Sequence, residues 1–452
     1  MLNLNRFQDK LTGLNLLSSR GMVLRVTGLT IESRGPAVGV GQLCEIRLGD
    51  GRRVLAEVVG FHNENRVLLP LEGIDGISPG DAVIARFSPR CIALGEGILG
   101  RVLDGLGRPI DGLGPLEGTA TRPLDCSPPA PMSRTKIDTP LSLGVRSFDG
   151  ILTTGKGQRI GIFAGSGVGK STLLGEIARV SKAQVNVLAL VGERGREVRQ
   201  FLEESLGPEG LSRSVVVVST ADASPIQRVK AAFTAIAIAE YFRDLGRDVL
   251  FMMDSLTRFC QAQREIGLAA GEPPATKGYC PSVFAMMPKL TERLGTAEFG
   301  SITGIFTILV EGDDMGDPVA DSARSLLDGH VVLSRKLAEQ GHYPAVDILQ
   351  SVSRLMTSVV SKEHIEAARR LRAIYSTYLG AEDLINIGAL VPGSNARIDK
   401  AIALIDQVND FLVQPTGTPS DFAQTVKRLV QITREWDFSG TAAPAGAGKG
   451  GK

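Results

Sequence analysis

The run Gly161-Ile-Phe-Ala-Gly-Ser-Gly-Val-Gly-Lys-Ser-Thr172 leads an apolar stretch into glycines, a lysine and a hydroxyl pair, and a helical pattern follows. Glycines at such a junction let backbone N–H groups turn inward around an anion without Cβ clashes, and the next helix adds its dipole. That chemistry suits phosphate, and Gly165, Ser166, Gly167, Val168, Gly169, Lys170, Ser171 and Thr172 form the candidate nucleotide-binding loop. Lys170 is placed to reach the β/γ-phosphates, and the Ser171 hydroxyl to ligate Mg²⁺. Ala164 stands where the strict pattern has its first glycine.

Val249-Leu-Phe-Met-Met-Asp254 reads as a buried strand with a carboxylate emerging at its end, where Asp254 would complement Ser171 on Mg²⁺. Hydrolysis also needs a group to polarise water. Glu193 is the first carboxylate beyond the strand at 185–191 and is the candidate general base. The alternative is an ordinary surface ion pair between Glu193 and Arg194; Arg194 is counted with the catalytic candidates, and Glu197 is read as a surface residue. Charge developing on the γ-phosphoryl group is often met by an arginine from a neighbouring subunit. Arg258, Arg324 and Arg354 all lie near strand ends, and composition does not rank them. Tyr343, before Pro344, is placed to stack on a base or to pack in a turn. Asp313, Asp314, Asp317 and Asp321 read as a solvated acidic loop without calcium-site spacing.

The elements that must hold these residues follow from periodicity. Between 151 and 355, apolar runs at 159–164, 185–191, 215–220, 249–254 and 303–310 alternate with helical stretches such as 226–245. This is the pattern of a mostly parallel sheet covered on both faces, with ligands at the carboxyl ends of the strands. Upstream, short period-two runs between turns predict a small β-barrel. Residues 96–150, rich in Gly and Pro, read as a connector winding over the surface. Downstream, 363–378, 396–413 and 421–436 read as helices. The expected division is therefore a segment at 1–20, a barrel at 21–95, a connector and nucleotide domain at 96–360, a helical domain at 361–438, and a disordered tail at 439–452.

The chain has 452 residues, and its 50 Lys and Arg against 49 Asp and Glu leave a net charge of +1, which gives no electrostatic reason to expect nucleic acid. The barrel mixes acidic and basic residues and offers only Phe61 and Phe87 as aromatics, against a strand-binding surface. Five scattered cysteines without a C-x-x-C pair read as reduced thiols of a cytosolic protein. No signal-peptide layout or membrane-length apolar run is present. Leu4, Phe7, Leu11 and Leu14 fall at helical spacing, either packed on their own domain or docking a partner.

Taken together, the barrel, the 161–172 loop, Gly192-Glu-Arg-Gly-Arg-Glu, Val249-Leu-Phe-Met-Met-Asp-Ser-Leu-Thr-Arg-Phe259 and Gly341-His-Tyr-Pro-Ala-Val-Asp-Ile-Leu-Gln-Ser-Val-Ser-Arg354 resemble the rotary ATP synthase catalytic-subunit superfamily. Gln263-Arg-Glu-Ile-Gly-Leu-Ala-Ala-Gly-Glu-Pro-Pro274 with Lys277-Gly-Tyr-Cys-Pro-Ser-Val-Phe284 resembles its type III secretion ATPases, and Asp383-Leu-Ile-Asn-Ile-Gly-Ala-Leu-Val-Pro-Gly-Ser394 leans to the flagellar branch. The resemblance implies a RecA-like central domain between the barrel and a C-terminal helical domain, and an ATP hydrolase using Mg²⁺. It nominates Arg354 as the arginine supplied in trans and Tyr343 as the adenine-stacking residue. It further implies a homohexameric ring at the cytoplasmic face of a membrane export apparatus, with a stator or regulator protein at the N-terminal segment. A stalk protein would enter the pore near Asp313–Asp317, and export gate proteins, export substrates and chaperones would be the other partners. A virulence-type secretion ATPase, a ring helicase and a non-catalytic synthase subunit are the rival readings, and Glu193 after its strand argues against the last. Two positions depart from the pattern: Cys280 stands where export ATPases often carry proline, and Thr416 where synthase catalytic subunits carry an aromatic over the adenine.

Overall fold

The computed structural model describes residues 19–437 except 87–90, 119, 311, 313 and 315. The readings made for the N-terminal helical stripe, Phe87, Asp313 and the C-terminal tail therefore lie outside the described residues.

Strands β1 (Arg20–Thr27), β2 (Thr30–Arg34), β3 (Leu43–Arg47), β4 (Arg53–His62), β5 (Asn65–Pro70) and β6 (Ala82–Arg86) close into a barrel in the order β1-β2-β5-β4-β3-β6. Val23, Ile31, Cys44, Ile46, Val58, Leu68 and Val83 fill the interior; residues alternate between buried and more exposed along β2 and β6, whereas β5 is buried on both faces from Val67 to Pro70. The buried Glu45 carboxylate is matched by Arg47 and Arg86.

The connector is more integrated than its composition predicts. β7 (Cys91–Leu94) pairs with β9 (Ala120–Pro123), while β8 (Val102–Asp104) joins the central sheet beside its outermost parallel strand. A buried Arg101–Asp111 pair at 2.7 Å pins this crossing. Three residues are too few for a periodic signal, so the strand is invisible in sequence. β10 (Pro140–Leu141) and β11 (Thr154–Gly155) form a short clasp before the nucleotide domain.

β12 (Arg159–Ala164), β13 (Val185–Glu193), β14 (Ser214–Thr220), β15 (Asp248–Asp254), β16 (Gly295–Thr296), β17 (Ser301–Leu309), β18 (Gly329–Leu333) and β19 (Val346–Ser353) complete the sheet, in the order β19-β18-β12-β17-β15-β13-β14-β8 with β16 paired to β17. β19 and β16 are antiparallel to their neighbours; the rest run parallel. The continuous apolar runs follow from burial on both faces. Leu188, Leu190, Val216, Val218, Leu250 and Met252 pack with the Lys170–Val180 helix and the C-terminal helices. Val187, Ala189, Val215, Val217, Phe251 and Met253 pack against the Pro225–Asp244 helix on the other side. That helix begins where its sequence dictates, with Ser224 capping the Gln227 N–H and Pro225 in the first turn.

The C-terminal helices Lys362–Asn386, Ala396–Leu412 and Phe422–Thr433 lay one apolar face on the nucleotide domain through Leu371, Ile374, Phe411 and Leu429. Cys280 is buried against Gly267 at the start of the Pro281–Thr291 helix. Among the described residues no helix is long and apolar enough to cross a membrane.

Candidate active site

β12 runs into the glycine loop, and the Lys170–Val180 helix leaves it. Gly167 and Gly169 sit at φ +81° and +86°, a region that L side chains rarely adopt, so glycine is required at both. Ala164 instead ends β12 in extended backbone, buried, with its carbonyl accepting from the Val310 N–H at 3.1 Å. Nothing there demands a glycine, which explains how alanine is accommodated. Val168 is buried and anchors the loop, while Ser166, Ser171 and Thr172 are exposed at its mouth.

Asp254 lies at the end of β15, across β17 from the glycine loop, and is only 5% exposed. Its Oδ1 accepts from Lys170 Nζ at 2.6 Å and from the Thr307 hydroxyl at 2.7 Å. Thr307, on β17, escaped the sequence reading because only the sheet order places it between β12 and β15. An exposed Ser171 hydroxyl and the Asp254 carboxylate are hard oxygen donors of the kind Mg²⁺ takes, so the residues present fit that ion.

Glu193 ends β13, one strand further along, after a bulge at Gly192. Its carboxyl is pushed up to about 7, first by burial and then by the Asp254 charge, with Lys170 opposing and Glu197 sharing a hydrogen bond. Arg194 is exposed and pairs with Glu197 at 3.0 Å. Glu197, itself half-buried, is therefore the link between the half-buried Glu193 carboxyl and the exposed Arg194, a part that a glutamate four residues on does not advertise in sequence. Gly192, at φ +75°, presses its backbone against Arg258; a Cβ there would stand 2.8 Å from the Arg258 Cβ.

The remaining arginines stand elsewhere. Arg324 pairs with Asp321, and Arg354 donates to the Arg324 carbonyl at 3.0 Å while its own N–H meets the Asp328 carbonyl. Asp328 in turn holds Arg159, the first residue of β12. Because β19 runs antiparallel, it carries Arg354 to the amino ends of the parallel strands, whereas Lys170 lies beyond their carboxyl ends. A six-residue strand separates the two levels by roughly 16 Å.

The opposite end of β19 places Tyr343 beside the phosphate loop: a Cβ on Gly169 would touch its ring at 3.4 Å. A cleft of about 560 Å³ runs from Gly167, Gly169, Thr172 and Leu173 past Tyr343 and Pro344 to 413–416. Its size is that of a small-molecule site. Tyr343 is 43% exposed and Thr416 forms part of the far wall. Of the acidic loop, Asp314 meets Lys277 at 3.0 Å and Asp317 caps the Pro318–Leu326 helix through the Val319 N–H at 2.9 Å.

A glycine loop between strand and helix, a carboxylate at a second strand end, and an adjacent cleft together define a phosphate-loop nucleotide-binding domain. Family models agree: the beta-barrel domain of the ATP synthase alpha/beta family matches 23–86, its nucleotide-binding domain 144–353, and the T3SS EscN ATPase C-terminal domain 360–431. The chain belongs to the ATP synthase alpha/beta family and is an ATP hydrolase of its type III secretion and flagellar group. It is 53% identical to the flagellum-specific ATP synthase of Bacillus subtilis, over 91% of this chain and 95% of that one. It is 49% identical to the type 3 secretion system ATPase of Xanthomonas euvesicatoria, over 91% and 94%. Among solved structures, the assembled ATPase EscN of the enteropathogenic E. coli type III secretion system superposes with a TM-score of 0.86 at 45% identity, over 91% of this chain and all of that one.

Proposed function

We propose that the protein is the Mg-ATP-hydrolysing motor of a flagellar type III protein export apparatus, which spends nucleotide turnover on unfolding and releasing export substrates. The observation that carries this reading is the placement of Glu193 at the end of the strand next to the one that ends in Asp254, beside the Lys170–Asp254 pair, where burial and the Asp254 charge push its carboxyl up to about 7. A merely binding site has no use for a base poised near neutrality; a hydrolytic one does.

In this mechanism the glycine-loop N–H groups and Lys170 hold the β- and γ-phosphates, Lys170 exchanging its bond to Asp254 for phosphate oxygens. Ser171 and Asp254 hold Mg²⁺, which when bound offsets phosphate charge. Glu193 takes the proton of the attacking water as the bond from γ-phosphorus to the ADP oxygen breaks, so ADP and phosphate leave without a covalent intermediate. Glu197 and Arg194 orient Glu193 from the surface side. Tyr343 stacks on the adenine.

Arg354, some 16 Å from the phosphate loop of its own chain by strand length, completes the site of a neighbouring copy. One heterologous contact repeated around a closed ring provides this. A homohexamer is the proposed assembly, supported by 45% identity to the assembled EscN. A central stalk is the proposed pore partner, since EscN has been solved with its central stalk EscO. The N-terminal segment is the proposed stator contact. The ring stands at the cytoplasmic face of the membrane, against export gate proteins that receive substrates and chaperones, and takes no nucleic acid.

A virulence-type secretion ATPase is the second reading, because relatives of both names align over 91% of the chain; the flagellar name belongs to the 53% relative and the secretion name to the 49% one. Expression in strains lacking either the flagellar or the injectisome ATPase separates them. Restored flagellar export and motility, lost again with Lys170→Ala, is expected; rescue of the injectisome strain alone overturns the flagellar assignment.

A further inference from the structure

The far wall of the cleft is a turn, attached to the domain by the Gln414 side chain and by backbone bonds from the Gln414 N–H to the Tyr343 carbonyl and from the Ser420 N–H to the Gly144 carbonyl. Gln414 is 6% exposed, and its amide donates to the Gly144 carbonyl at 2.9 Å and the Thr418 carbonyl at 2.8 Å. Its Oε1 accepts from the Arg146 N–H at 2.8 Å, and its own N–H meets the Tyr343 carbonyl at 2.8 Å. These bonds tie the turn to the domain and to the stacking residue. They do not tie it to the phosphate loop.

That link is made by Glu176. It lies on the Lys170–Val180 helix, one turn after Thr172 and Leu173, so the three share the face that lines the cleft. The side chain is buried and its two carboxylate oxygens lie 3.1 and 3.0 Å from the Gly417 N–H. Arg179 balances the charge at 2.7 Å. Gly417, at φ +81°, is where the turn reverses and presents its N–H toward the helix. Among the described residues, the hydrogen bonds from this helix to the turn end on that one carboxylate.

We propose that Glu176 is a positioning residue that sets the distance between the phosphate loop and the base-side wall, and through it the affinity for the base and ribose of the nucleotide. The inference rests on the nucleotide reading of the cleft. A charge-assisted bond to a backbone N–H holds a turn more firmly than a neutral one, and its loss frees the wall to move away from the bound base.

The test separates base from phosphate. In full-length Glu176→Ala, KM for ATP rises about tenfold while kcat at saturating ATP stays within about twofold, as loss of one charge-assisted bond implies. The competitive inhibition constant of inorganic tripolyphosphate, which has no base, keeps its wild-type value. Glu176→Gln, which retains one acceptor oxygen, falls between; it carries the test if the alanine variant fails to fold. An unchanged KM in a folded variant overturns the proposal. So does equal weakening of ATP and tripolyphosphate, because Glu176 would then act on the phosphate loop itself. Failure of the wild type to bind ATP at all would instead refute the underlying nucleotide reading.

Discussion

The phosphate end of the cleft stands on strands, whereas the base end stands on loops. Lys170, Asp254, Thr307 and Glu193 belong to or adjoin β12, β15, β17 and β13, four neighbouring strands whose ladder bonds fix their spacing. Tyr343 meets the turn through one backbone bond, the Gln414 N–H to its carbonyl, the turn is held by the Gln414 and Glu176 side chains, and Tyr343 is 43% exposed. Electrostatic stabilisation of a transition state needs groups that do not reorganise as charge develops, and buried strand ends provide them. Base recognition needs only contact area, and a loop that can adjust serves. The contrast predicts that damage at the phosphate end falls on kcat, and damage at the base end on KM.

The largest effect belongs to a residue at neither end. Arg354→Ala lowers kcat by about 10³–10⁵, the range for an arginine supplied in trans. Mixing it with Lys170→Ala subunits restores part of the phosphate release, because the Lys170→Ala subunit lends its Arg354 to the intact phosphate loop of its Arg354→Ala neighbour; absence of rescue breaks the assignment. Next comes pH. Glu193 works as a base only when ionised and in the free enzyme its carboxyl is pushed up to about 7, so kcat/KM falls roughly tenfold per unit below that value and levels off above it. Stopped-assay profiles at limiting ATP check the sign; a flat kcat/KM profile from pH 5 to 8 denies Glu193 the role. The smallest effect is at the base end. Loss of one aromatic stack in Tyr343→Ala raises KM for ATP about two- to tenfold and spares kcat. A kcat loss larger than the KM change would show that the base end reaches into the chemistry.

The same contrast governs how much could be read from the residues alone. The barrel announces itself through period-two alternation, and the central strands through apolar runs wetted on neither face, because burial imposes those patterns locally. Lys170, Asp254 and Glu193 are legible because each follows such a run directly. β18 and β19 do not stand out as strands in the sequence: their half-exposed patterns carry no continuous run, and β19 reverses direction at the sheet edge. That reversal is what separates Arg354 from its own phosphate loop, so the geometric reason for a trans arginine is absent from the local sequence. The roles of Thr307, Glu176 and Gln414 are hidden in the sequence for a related cause. Their partners lie 53, 241 and 270 positions away, distances across which no periodicity speaks. Glu197 reads as a surface residue and its side chain is partly exposed; its hydrogen bonds to Glu193 and the exposed Arg194 are what its sequence position does not show.

One comparison of rate with binding tests the central claim most directly: phosphate release by Glu193→Gln, measured beside its equilibrium affinity for Mg-ATP. The substitution keeps the shape of the side chain and removes only its ability to accept a proton. The account predicts a kcat lower by about 10²–10⁴ with ATP affinity unchanged. A variant that hydrolyses ATP at the wild-type rate, or that loses binding in proportion to rate, would contradict it.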